Sequence, residues 1–179
     1  KVLSVQVEAS AEQQYVDFGK KNVASMDAKA VKDVLFESGL FGFIKQRPYD
    51  VTANPADTPK AIFVSAFNSM PLAADFEFVL KGREADFQTG LDALSRIAKT
   101  HLGVSTKQSA PALTAAKNVT VTFFSGAAPA GNVGVQINHV DPINKGEVVW
   151  TLGAEEVIFI GHLFNTGKLD FTRVIALAG

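Results

Sequence analysis

The chain opens on "KVLSVQVE", in which polar and apolar residues alternate. A period of two predicts a half-buried strand, because successive side chains point to opposite faces. A polar stretch, "ASAEQQYVDFGKKN", separates this run from the rest of the chain. At Asp27 the period changes. Ala30, Val31, Val34 and Leu35 share one face of a helix that Asp27 is suited to cap and Gly39 to stop. The cluster "NPADTP" then breaks the pattern.

Beyond it, "AIFVSAF", Ala61 to Phe67, is a continuous apolar run, as in a strand covered on both faces. "EADFQTGLDALSRIAK" sets Phe87, Leu91, Leu94 and Ala98 at helical spacing. "LGVST" predicts a short strand, "PALTAAKN" a short helix with proline in its first turn, and "VTVTFF", Val119 to Phe124, a β-branched strand. A final unit consists of the strand "EVVW", the helix "AEEVIFIGHLFNTG" ending near Gly167, and the strand "TRVIALA". Strands alternating with helices predict an α/β fold, a Rossmann-like parallel sheet with helices on both faces. Residues 132–139 stay open between helix and strand, since Val133, Val135 and Ile137 alternate.

Composition narrows the class. The chain has 179 residues, 47% hydrophobic and 20% charged, enough for one globular domain with a fragment of a second. A net charge of -1 gives no basic face, so nucleic acid is not an expected partner. The absence of cysteine excludes disulfides, thiolate metal sites and a cysteine nucleophile in this chain, and fits a reducing compartment. Its apolar runs fall far short of the ~20 residues that span a bilayer. No signal-peptide pattern is visible. With no initiating Met and a strand-like run at its end, the sequence reads as part of a longer protein.

Two glycine-bearing turns are the candidate ligand sites. In "ESGLFGFIKQRPYD", Gly39 and Gly42 precede a cation, Arg47, an order found in phosphate cradles. Phe41, Phe43 and Ile44 occupy places where such loops carry small residues, so a core-filling turn is the competing reading. The second turn, "FFSGAAPAGNVGVQIN", follows a strand and carries Gly126, Gly131, Asn132 and Gly134. A turn there can aim backbone N–H groups at an anion beyond the carboxyl end of the sheet. Its spacing is not G-x-G-x-x-G and no Walker lysine follows. The alternative is a loop that needs positive φ at Gly131 or Gly134.

The remaining chemistry is sparse. His101, His139 and His162 lack metal-ligand spacing, so no metal is expected, and His162 in an apolar helix predicts a packed, hydrogen-bonded imidazole. No serine lies in G-x-S-x-G. Glu155 and Glu156 open a helix, where carboxylates suit the macrodipole. Trp150 is a core anchor. No catalytic residue is assigned.

Long blocks of the chain carry a resemblance. "ESGLFGFIKQRPYD", "KAIFVSAFNSMPLAADFEFVL", "AGNVGVQINHVDPINKGEVVWTLGAEEVIFIGHLFNTGKL" and "RVIALAG" closely resemble the middle of the A-subunit family of bacterial sodium-pumping NADH:quinone reductases. The resemblance implies that residues 1–20 end a truncated barrel-like domain with its linker. Residues 21–179 would form a Rossmann-like domain related to the flavin-binding domain of the NADH-binding subunit of complex I. Those relatives hold the flavin phosphate with a loop of the form G-x-G-G-A-G-F-P, which falls where this chain has "GLFGFIKQRP". Here the glycine doublet is gone and Phe43-Ile44 replace it, so the cradle looks eroded.

The family therefore implies a non-catalytic peripheral subunit. FMN and NADH would be bound on other subunits, and the partners would include membrane-embedded ones. It also implies a place on the cytoplasmic side of the bacterial inner membrane, and quinone as a candidate ligand. Phe41, Phe43, Arg47 and Tyr49 are the candidate quinone contacts, with core packing as the alternative. The competing function is a free-standing nucleotide-binding enzyme that uses the Gly126–Gly134 loop.

Overall fold

A computed structural model describes all residues except Lys1, Gln13, Ala176, Ala178 and Gly179. Its first helix, α1 (Ala28–Glu37), forms as its sequence dictates. The Asp27 side chain accepts from the Ala30 N–H at 2.8 Å, Val31, Val34 and Leu35 are buried, and Gly39 turns the chain out at φ 79°. β1 (Lys45–Arg47) and β2 (Val51–Thr52) make a small hairpin, with a cis bond between Arg47 and Pro48. Then come β3 (Ile62–Ser65), α2 (Phe76–Leu80), α3 (Glu84–Ile97), β4 (Thr100–Ser105), α4 (Pro111–Thr114) and β5 (Thr120–Phe124). α5 (Val133–Val140), β6 (Val149–Gly153) and α6 (Ala154–Thr166) complete the order.

The strands form one six-stranded sheet in the order β2-β1-β6-β3-β4-β5. β6, β3, β4 and β5 are parallel, whereas β1 pairs antiparallel with both β2 and β6. The expected all-parallel sheet is thus corrected to a mixed one. The segment after Gly42 is recruited to the free edge of β6, where it satisfies backbone groups that a parallel edge leaves open. From β3 the chain winds one way to β4 and β5, then returns to place β6 on the other side of β3.

Alternation decides which residues face which layer. Ile62, Val64, Trp150 and Leu152 point into the larger core with α1, α3 and α6; Ala61, Phe63 and Val149 meet Ile137 of α5 on the other side. The uncertain stretch is a helix because Val133, Ile137 and Val140 then fall on the face that covers this second cluster. Asn132 caps it by accepting from the Gly134 N–H at 2.8 Å. Trp150 is fully buried; its indole N–H donates to Gln46 at 3.0 Å, and Phe41 packs edge-on against it at 5.4 Å.

Among the described residues, neither expected terminal strand forms. Residues 2–8 have no regular structure, with Val2, Leu3, Val5 and Val7 exposed, and residues 172–175 are likewise irregular. An alternating segment becomes a strand only where a partner takes its hydrogen bonds, and none of the six strands pairs with either segment. The rest of "TRVIALA" includes Ala176 and Ala178, which lie outside the described residues. Residues 18–21, by contrast, are tied to α6 by Phe18 N–H to Gly167 O at 2.8 Å and Lys21 N–H to Phe164 O at 3.0 Å.

His101 on β4 is buried and stacks on Phe63 at 4.6 Å, yet neither ring nitrogen has a hydrogen-bond partner among the described residues. Burial, aided by Lys99, lowers its pKa, against a smaller opposing pull from Asp141. A histidine whose folded pKa is depressed binds more protons when unfolded, so its contribution is complete above its unfolded pKa and lost as pH falls toward the folded one. Urea titrations of the parent and His101→Leu should therefore converge or cross as pH drops below about 6.5. A constant difference between the two from neutral pH downward would contradict this assignment.

Candidate functional site

The parallel strands all deliver their carboxyl ends to one open groove of about 1510 Å3. Its floor includes Ser65 at the end of β3, Ala66 after it, and Thr151 to Gly153 of β6, the two neighbours between which the winding direction reverses. Here α3, which follows β3, and α6, which follows β6, pack on the same face, while α5, which precedes β6, covers the other. The β3–α2 loop, residues 105–108 at the end of β4 and beyond it, and the Ser125–Asn132 turn after β5 make the walls.

Register brings the two candidate turns together here. Lys45 and Arg47 pair with Thr151 and Val149, so their side chains share the face on which Val149 meets α5. Both line the groove. Arg47 Nη1 lies 3.9 Å from where a Cβ on Gly134 would stand. Its Nε is buried and 3.3 Å from Asp50 Oδ1, but makes no hydrogen bond. Asp50 itself holds φ 54° in the turn that closes the hairpin.

The other candidates divide. Phe43 lines the groove and packs against Phe159 at 6.2 Å. Phe41 is taken by the core against Trp150. Tyr49 is 84% exposed and is not part of the groove lining.

The glycine positions also differ from expectation. Gly126 holds φ 128°, whereas neither Gly131 nor Gly134 has a positive φ, which corrects the conformational reason expected for them. Gly131 is required for space instead: a Cβ there would lie 2.4 Å from the Ser69 backbone nitrogen, and its own N–H donates to Ser69 Oγ at 2.9 Å. Gly134 lies in the first turn of α5.

The two turns differ in the backbone donors they leave free. In the first, the N–H groups of Gly39, Gly42 and Ile44 donate to Phe36, Gly39 and Phe41, closing a tight 3-10 turn over Leu40–Phe43. In the second, Ala130 and Asn132 donate to Ala127 and Pro129, Gly131 to Ser69, and Gly134 to the Asn132 side chain, whereas the N–H groups of Gly126, Ala127 and Ala128 have no acceptor among the described residues. A phosphate cradle needs several convergent N–H groups without internal acceptors.

Polar groups on the walls are also engaged. Gln108 donates to Ala66 O at 2.9 Å and accepts from Ser105 N–H at 2.7 Å. Glu77 accepts from the backbone N–H groups of Ala110 and Ser109, which lower its pKa. At the α6 end, Glu155 and Glu156 pair with Arg173, a cation whose neighbours in sequence predict a strand and give it no role. His162 does pack as expected, with Nδ1 2.9 Å from Asp86 Oδ2. Among the described residues no group of three or more His, Cys, Asp or Glu is placed to hold a metal, and no helix is long and apolar enough to cross a membrane.

Similarity to known proteins runs through the same blocks. A family model described as the NqrA second alpha/beta domain matches residues 26–169. The A subunit of the Na(+)-translocating NADH-quinone reductase of Saccharophagus degradans is 37% identical over 176 residues, covering 98% of this chain and 39% of that protein. Its counterpart in Pseudomonas aeruginosa is 37% identical over 175 residues with the same coverage. That of Actinobacillus pleuropneumoniae is 38% identical over 179 residues, or 98% of this chain and 40% of that protein. The chain thus spans about two-fifths of the length of the curated relatives it matches.

Proposed function

Because the chain belongs to the NqrA second alpha/beta domain family, found within the A subunit of Na(+)-translocating NADH-quinone reductases, we propose that it serves as a non-catalytic peripheral part of such a complex. In this reading it supports assembly with the other subunits, membrane-embedded ones included, on the cytoplasmic side of the bacterial inner membrane. Its groove meets quinone during electron transfer coupled to Na+ export. Residues 1–20 then belong with a neighbouring barrel-like domain. The parallel part of the sheet, with its reversal beside β3, is read as Rossmann-like and akin to the flavin-binding domain of the complex I NADH-binding subunit.

The observation that carries this reading is the contrast inside the groove. In the Gly39–Ile44 turn the N–H groups of Gly39, Gly42 and Ile44 are engaged, while Arg47 carries an Nε without a hydrogen bond and lines the same groove as the aromatic Phe43. A neutral ring with carbonyl oxygens fits such a wall better than a pyrophosphate does. A quinone carbonyl gains negative charge on reduction, which a guanidinium stabilises. FMN and NADH are assigned to other subunits on the same ground: Phe43 and Ile44 stand where a backbone must close on phosphate.

The competing reading, a nucleotide-binding enzyme using Gly126 to Gly134, separates cleanly by titration. The purified chain should be colourless, leave added FMN with its free-ligand fluorescence, and show no turnover with NADH. Stoichiometric FMN binding at micromolar or tighter affinity would overturn the proposal.

A further inference from the structure

One segment reaches the α6 end of the groove from outside the sheet, where Val174 joins its lining. After α6 the chain passes through Asp170, Phe171, Thr172, Arg173 and Val174 without regular structure, yet it is held at several points. Arg173 places Nη1 on Glu155 Oε2 and Nη2 on Glu156 Oε1, the latter at 2.8 Å, and its guanidinium carbon lies 5.0 Å from the centre of the Phe159 ring. Phe171 packs against Phe159 at 5.5 Å and against Phe43 at 6.1 Å. Asp170 faces Arg83 Nη2 at 3.4 Å. Val174 lines both the groove and a smaller cavity of about 270 Å3, and Val79 and Glu155 line the same two spaces.

We infer that Asp170–Val174 is a latched strap across the α6 end of the groove, with Arg173 on Glu155 and Glu156 as the latch that governs access to the wall beneath it. Two features make the latch releasable. Arg173 is 41% exposed, so the pairs are open to screening by salt, and the strap has no backbone ladder to hold it once they part. The acidic pair also accounts for its own neighbourhood. Gly153 leaves room for Glu156, whose Oε2 would lie 2.3 Å from a Cβ there, so the carboxylate that holds Arg173 is seated at the start of α6. This inference does not depend on quinone being the ligand.

The chain contains no cysteine, so single-cysteine reporters give an unambiguous signal. Val79→Cys places a thiol beneath the strap. Ala127→Cys places one on the β5–α5 turn, which lines the groove but not the smaller cavity. Adding Arg173→Ala is expected to speed modification of Val79→Cys by a thiol-reactive disulfide about fivefold or more, as loss of two ion pairs allows. The rate at Ala127→Cys should not change. Raising the salt concentration should accelerate the Val79→Cys protein and leave the Arg173→Ala version unaffected. An unchanged rate at Val79→Cys would overturn the inference. Equal acceleration at both cysteines, which marks general loosening, would do the same.

Discussion

Gly161→Ala is expected to destabilise the domain by roughly 3 kcal/mol or more, the upper range for forcing atoms into a packed interior. Gly161 on α6 and Gly90 on α3 let these two helices touch through their backbones. A Cβ on Gly161 would lie 1.6 Å from the Asp86 carbonyl oxygen and 2.8 Å from the Gly90 nitrogen, and one on Gly90 would lie 2.1 Å from the Val157 carbonyl oxygen. These neighbours are backbone, which cannot rotate away. Relief requires α3 and α6 to separate, and both carry buried core residues, among them Phe87, Leu91, Val157 and Phe164. Separation would also strain the bonds from Asp86 to His162 and to Asn165, at 2.9 and 2.7 Å. A drop in urea midpoint of about 1 M or more should accompany it for a chain of this size. Gly42→Ala is the control: nothing lies within 4 Å of its Cβ position, and a change within about 0.5 kcal/mol is expected. Unfolding of Gly161→Ala at the parent's midpoint would contradict this packing.

Elements with their own local signals are legible in the sequence. α1 has its cap at Asp27, a buried face and a glycine stop, α3 follows from apolar periodicity, and β3 follows from a continuous apolar run. β1, β2 and α2 escape such reading because they are short, and β1 is a strand only because β6 offers it an edge. The same physics runs in reverse for residues 2–8, where strong alternation meets no partner. At the site, Arg47 and the Gly131–Gly134 turn each stand out in the sequence, but their meeting depends on the antiparallel register of β1 and the placement of α5. Phe41 and Phe43 are near neighbours in sequence, yet only the fold sends one to Trp150 and the other to the groove. The Arg173 latch has no sequence signal, because Glu155 and Glu156 already have a sufficient role at a helix start. Gly90 and Gly161 likewise look like ordinary helix glycines until α3 and α6 are brought together.

The central claim is that this groove meets quinone through Arg47. A hydrogen bond from a charged donor in a partly buried site contributes about 1.5–3 kcal/mol, which corresponds to roughly a tenfold to hundredfold change in affinity. The competing role for Arg47 is its pair with Asp50, whose side chain is 59% exposed, and such a pair contributes about 1 kcal/mol at most to stability. The direct measurement is steady-state kinetics of an intact reductase complex carrying Arg47→Ala in this domain. The account predicts an apparent quinone KM raised about tenfold or more, with NADH oxidation by the flavin-bearing subunit intact. Unchanged quinone kinetics in a normally assembled complex would contradict it and leave Arg47 as a packing residue.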